Sequence, residues 1–124
     1  MNSISPTADI AGAAGGSEAQ PGRWAAACTT DEVGEDFPTR VELEDGLAIA
    51  VYRVDGAFYA TNDRCTHGEA SLSDGLVDGH VIECPFHSGT FDIRTGKALT
   101  FPCTEPVAVY PVRLEGDRIL VWID

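Results

Sequence analysis

Lysine is nearly absent from this chain of 124 residues: Lys97 is the only one. Twenty acidic side chains face eight basic ones, a formal net charge of -12. A surface this negative repels nucleic-acid phosphate and anionic lipid, which sets both aside as partners and suits docking onto basic patches of other proteins. No run approaches the roughly 20 apolar residues that cross a bilayer, so no membrane span is expected. Neither lysine nor arginine precedes Arg23, so the basic start of an export signal is missing and a cytoplasmic location is expected. None of the four cysteines forms a CxxC pair; in a reducing compartment Cys28 and Cys103 are expected as buried thiols rather than as a disulfide. Histidine is scarce as well, limited to His67, His80 and His87. Finally, no long stretch carries apolar residues at the helical period, which argues against a helical architecture.

What is present is a chain long enough for one domain with its own core. Residues 1–21 are rich in Ala, Gly, Ser and Pro and hold hardly any large apolar side chain. Such a segment does not bury enough surface to offset its ordering entropy, so a disordered tail is expected there, apart from a short helix at 10–14. From residue 22 onward short β-like runs alternate with turn residues. Strands are expected at 24–28, 40–43, 47–54, 57–61, 76–77, 80–83, 90–93, 107–114 and 118–123, with one helical turn at 31–34. Asp55-Gly56 and Asp78-Gly79 carry hairpin chemistry, as do the Gly-containing turns at 44–46, 95–96 and 115–117. Many short strands with glycine-rich turns imply an all-β sandwich or small barrel over 22–124.

Two runs on the expected loops stand out, Cys65-Thr66-His67 and Cys84-Pro85-Phe86-His87, separated by sixteen residues. Two thiolates and two imidazoles suffice to close one metal site, and rigid strands below would present them at a tip. A Cys2His2 set holds zinc in many structural sites. Zinc ribbons and fingers, however, pair like ligands at short spacing, whereas each run here supplies one of each. Mixed pairing has a natural use in a [2Fe–2S] cluster with two cysteines on one iron and two histidines on the other.

The runs Cys65-Thr66-His67-Gly68 and Cys84-Pro85-Phe86-His87-Ser88-Gly89 resemble the Rieske motif, and from about residue 24 to 123 the chain is similar to Rieske-type ferredoxins of bacterial multicomponent aromatic-ring-hydroxylating dioxygenases. The resemblance extends to Thr95-Gly96-Lys97-Ala98-Leu99. It implies a Rieske β-sandwich of short antiparallel strands with a two-loop cluster-binding tip. It also implies one [2Fe–2S] cluster per chain, with Cys65 and Cys84 on the buried iron and His67 and His87 on the outer one. Phe86 and Pro102 would belong to an apolar rim around it, and amides near Gly68 and Gly89 would face the sulfurs. The implied partners of a monomeric carrier are a flavin-dependent NAD(P)H reductase and a terminal oxygenase component. Alternatives are a zinc-stabilised binding module, or a Rieske carrier or subunit of a monooxygenase or nitrite-reductase-like complex.

Departures from the motif narrow the resemblance. High-potential Rieske proteins place cysteines where Ala70 and Phe86 stand here, and hydrogen-bonding Ser and Tyr where Gly89 and Phe91 stand. Losing donors to sulfur disfavours the more negative reduced state, so a potential near the low end of the Rieske range, on the order of -150 mV, is expected. Once His67 and His87 are assigned, His80 alone remains, too few for the two-histidine mononuclear iron of an oxygenase. The chain is therefore expected to carry electrons without being catalytic alone. Glu69 and Asp74, beside the first run, are the acidic docking candidates.

Overall fold

The computed structural model describes residues 22–44, 46–66, 68–86 and 88–123. The expected tail at 1–21, with its short helix, lies outside the described residues. In chain order the strands are β1 (Arg23–Thr29), β2 (Thr39–Glu42), β3 (Ala48–Val54), β4 (Ala57–Asn62), β5 (Leu76–Asp78), β6 (Val81–Glu83), β7 (Thr90–Asp92), β8 (Ala98–Thr100), β9 (Val109–Tyr110), β10 (Val112–Glu115) and β11 (Arg118–Ile123). Two single 3-10 turns, Thr30–Glu32 and Leu72–Asp74, are the helical elements among the described residues. The first begins one residue before the expected turn at 31–34.

Three antiparallel sheets result, ordered β9-β4-β3-β2, β10-β11-β1 and β5-β6-β7-β8. The middle layer explains the apolar run Ala48-Ile49-Ala50-Val51-Tyr52. Side chains alternate across a strand, and β3 is covered on both sides, so both sets are apolar. Ile49 and Val51 join Ile119 and Val121 of β11 in one core. Ala50, Tyr52 and Val54 join Ile82, Phe91, Cys65 and Cys84 in the other. The Tyr52 hydroxyl is satisfied by the Thr61 hydroxyl at 2.8 Å, and burial pushes its phenol above its ordinary value. The expected all-β sandwich is present, with β5–β8 forming the tip.

The expected hairpins hold. Asp55 and Gly56 take φ of 53° and 80° between the paired residues Val54 and Ala57, as a two-residue primed turn requires. The expected strand at 107–114 is instead divided in two. β9 pairs with β4 and β10 pairs with β11, with Pro111 between them. Proline has no N–H to give to either ladder, while its carbonyl accepts from Trp122 N at 2.9 Å. The chain thus changes sheet at Pro111. Strand β8 was not anticipated, because Ala98-Leu99-Thr100 is too short to show a period.

One local ion pair braces the turn after β7. Arg94 donates to both carboxylate oxygens of Asp92, at 3.3 and 3.2 Å, and these side-chain bonds hold Asp92 below the ordinary carboxylate range. A depressed folded-state value means that the pair's stabilisation is present above the ordinary Asp value of about 3.9 and lost as pH falls through the depressed one. Thermal unfolding followed against pH should therefore show a shallower acid loss in Asp92→Asn than in the unaltered protein. Parallel curves below pH ~4 would contradict this.

Candidate metal centre

Cys65 follows β4 and opens the first loop; Cys84 follows β6 and opens the second. Both loops close in the same way. Cys65 N donates to Ala70 O at 2.9 Å, and Cys84 N donates to Gly89 O at 2.7 Å. Each cysteine is thus pinned at the neck of its loop by a carbonyl five residues on. Below the first neck, Arg64 bridges Ser71, and Leu72 N donates to Asp63 O at 2.6 Å. Below the second, Glu83 pairs with Thr90. Both thiols are buried, each 1% exposed, while Thr66, Pro85, Phe86 and Ser88 above them are exposed. Ser88 turns the second loop with φ of 62°, a left-handed conformation uncommon outside glycine.

Asp63 anchors the first loop to the scaffold. Its carboxylate, 3% exposed as a residue, accepts from Arg40 Nε at 3.3 Å and from Ser73 N at 2.9 Å. Removing it leaves the Ser73 amide without that acceptor, a cost of about 1–3 kcal/mol for a buried group. Asp63→Ala is expected to lower the unfolding free energy by that order, measured by denaturant titration, with Arg40→Ala costing less because Arg40 is half exposed. Equal costs in the two variants would argue against an anchoring role.

The loops bring Cys65 and Cys84 together. Burial pushes the Cys84 thiol up to about 11; a hydrogen bond from the Phe86 amide pulls the other way, and contact with Cys65 adds to the rise. The amide aimed at this sulfur therefore belongs to Phe86. Of the glycines expected to supply amides, Gly68 donates to Cys65 O at 3.4 Å, and Gly89 contributes its carbonyl. His67 and His87 lie outside the described residues. Among the described residues no group of three or more His, Cys, Asp or Glu side chains is arranged to hold a metal ion. The described part of the site thus contributes two thiols. Paired buried thiols with an amide aimed at one sulfur fit thiolate-bound iron. Binding requires the thiolates, so loading must release protons.

His80 occupies the β5–β6 turn, its ring edge-on to Tyr59 at 5.6 Å between centroids. Phe86 is 53% exposed and so faces outward. Pro102 is half-buried beside an exposed Phe101. None of the four cysteines is in a disulfide; Cys103 is buried as expected, whereas Cys28 is only half-buried.

Sequence reasoning placed Pro102 at the rim but missed that its loop, residues 101–106, brings Cys103 against Cys65. Thr66 Oγ1 donates to Glu105 O at 2.8 Å, and Cys103 Sγ lies 3.8 Å from Cys65 Sγ. Gly89 packs so closely on Cys103 that a Cβ at residue 89 would collide with its Sγ. Burial pushes the Cys103 thiol up to about 12, with further rises from Cys65 and Cys84. Its position directly after the expected rim residue Pro102 was the usable signal.

Comparison with known proteins agrees with this geometry. The Rieske [2Fe-2S] domain family matches residues 23–111. The ferredoxin component of the p-cumate 2,3-dioxygenase system of Pseudomonas putida is 53% identical over 95 residues, covering 76% of this chain and 80% of that protein. Among solved structures, the Sphingomonas yanoikuyae B1 ferredoxin superposes with a TM-score of 0.79 at 43% identity, covering 82% of this chain and 100% of its own. A chain from a complex of reduced oxygenase and oxidised ferredoxin of carbazole 1,9a-dioxygenase follows at 0.74 and 44% identity, covering 79% and 91% respectively.

Proposed function

The chain belongs to the Rieske [2Fe–2S] domain family, and from that premise we propose that it is the ferredoxin component of an aromatic-ring dioxygenase system, an electron carrier that is not catalytic alone. The observation that carries the reading is the convergence of Cys65 and Cys84 from two loops closed by the same hydrogen bond. Residues 22–124 form the carrier domain. Cys65 and Cys84 are its thiolate ligands to one iron, and His67 and His87 its imidazole ligands to the other, one cluster per chain. When bound, a [2Fe–2S] group supplies a one-electron redox couple.

This chain's own residues do the rest. The necks at Cys65 and Cys84 keep both sulfurs out of water, and the Phe86 amide favours negative charge on the Cys84 sulfur. Phe91, 0% exposed, has no side-chain donor, and neither has Gly89, which supports a potential near the low end of the Rieske range, on the order of -150 mV. Exposed Phe86 and Phe101 provide apolar contact area for a partner. Glu69, which pairs with exposed Arg64 at 3.4 Å, and exposed Asp74 offer acidic contacts. The partners are a flavin-dependent NAD(P)H reductase and a terminal oxygenase, the carrier acting as a monomer in the cytoplasm. The relative named as a p-cumate dioxygenase component and the solved oxygenase–ferredoxin complex support the oxygenase side.

The test is spectroscopic. Protein from iron-replete cells should be red-brown, bleach with dithionite and give a rhombic EPR signal of low average g when reduced. A colourless, zinc-loaded preparation would overturn the proposal in favour of the zinc-stabilised module.

A further inference from the structure

Cys103 is left over once Cys65 and Cys84 serve as ligands, yet it is held against one of them. Its Sγ is 3.8 Å from Cys65 Sγ, and the residue is 3% exposed. Three bonds hold its loop in place. Cys103 N donates to Thr100 O at 3.1 Å, the Thr90 and Thr100 hydroxyls meet at 2.7 Å, and Thr66 Oγ1 donates to Glu105 O. Gly89 completes the pocket, since only a residue without a Cβ leaves room for this sulfur. A thiol is a weak S–H donor and its sulfur a weak acceptor. A thiolate has no proton to give. With Cys65 as a metal-bound thiolate, the contact therefore has one polarity: Cys103 donates and Cys65 accepts.

We propose that Cys103 is a positioning residue for electron transfer, whose S–H donates a hydrogen bond to the Cys65 sulfur and favours the reduced state. The inference rests on the carrier reading and deepens it. Donors to ligand sulfur stabilise the negative charge gained on reduction and raise the potential, and a dry surrounding strengthens such a bond. Cys84 receives this help from the main chain, through the Phe86 amide. Cys65 receives it from a side chain 38 residues away in sequence.

The experiment is infrared spectroscopy of the S–H stretch on the loaded Cys28→Ala protein. With Cys65 and Cys84 bound as thiolates, Cys103 keeps the only S–H of the four cysteines. On reduction by dithionite the band should move to lower wavenumber, because the acceptor gains charge. Potentiometry adds a second arm. Cys103→Ala should lower the equilibrium constant for reduction by two- to tenfold, up to 59 mV for one electron, and Cys103→Ser should recover part of the loss. A loaded, reducible protein whose S–H band stays in place on reduction overturns the inference and leaves the carrier reading intact. If Cys103→Ala fails to load, the infrared arm decides alone. A preparation without a reducible cluster sinks the carrier reading and this inference with it.

Discussion

Cys84→Ala protein loses its iron and its visible colour together. Cys84 is 1% exposed and sits at the neck of the second loop, so no water or neighbouring carboxylate takes its place. His87→Ala has the same result, because two thiolates and one imidazole leave an iron short of a ligand. His80→Ala keeps full iron content. That ring packs edge-on against Tyr59, and losing this contact costs about 0.5–1.5 kcal/mol of stability. Iron analysis and the visible spectrum read all three variants. Bleaching in His80→Ala, or a full complement of iron in Cys84→Ala, would show the ligand set to be wrong. Ligand bonds are also folding energy. Amide hydrogen exchange at the necks, Cys65 and Ala70 above all, should therefore quicken in Cys84→Ala while the strands β1 and β11 keep their protection.

Truncating Phe91 to alanine costs about 3–5 kcal/mol of stability. Its ring is completely buried in β7, opposite Ile82 of β6, in the core that also holds Cys65, Cys84 and Cys103. The cavity opens beneath the metal centre, where the necks restrict collapse. A denaturant titration of the holoprotein reads the cost, and Phe58→Ala is the control. Phe58 is only half-buried and lies under the Arg53 guanidinium at 5.4 Å, so its loss is smaller. A cost below about 1 kcal/mol for Phe91→Ala would mean that this core is not packed as described.

Much of this molecule is legible from local sequence. Asp55-Gly56 announces its turn because only residues tolerant of positive φ close a two-residue hairpin. The apolar run of β3 announces a strand covered on both faces. Other features were hidden for definite reasons. The sheet change at Pro111 depends on which partner each flank meets, since Val109 pairs with Thr61 and Val112 with Val121. Strand β8 draws its order from β7, with Phe91 opposite Ala98, not from its own three residues. Asp63 looks like any loop acid until Arg40 and Ser73, far apart in the chain, are seen to share it.

The metal centre divides along the same line. Sequence alone pointed to its chemistry: paired Cys and His at Rieske spacing, no cysteine at Ala70 or Phe86, no hydroxyl at Gly89 or Phe91, and too few histidines for a further, mononuclear iron. Those are properties of residue type and short spacing, which the chain carries whether folded or not. Tertiary structure alone decided the surroundings of the sulfurs. It placed Asp63 under the first loop and set the Cys103 thiol beside Cys65. The Arg40–Asp63 and Cys103–Cys65 contacts join residues 23 and 38 positions apart, and they exist only once the sheets have packed.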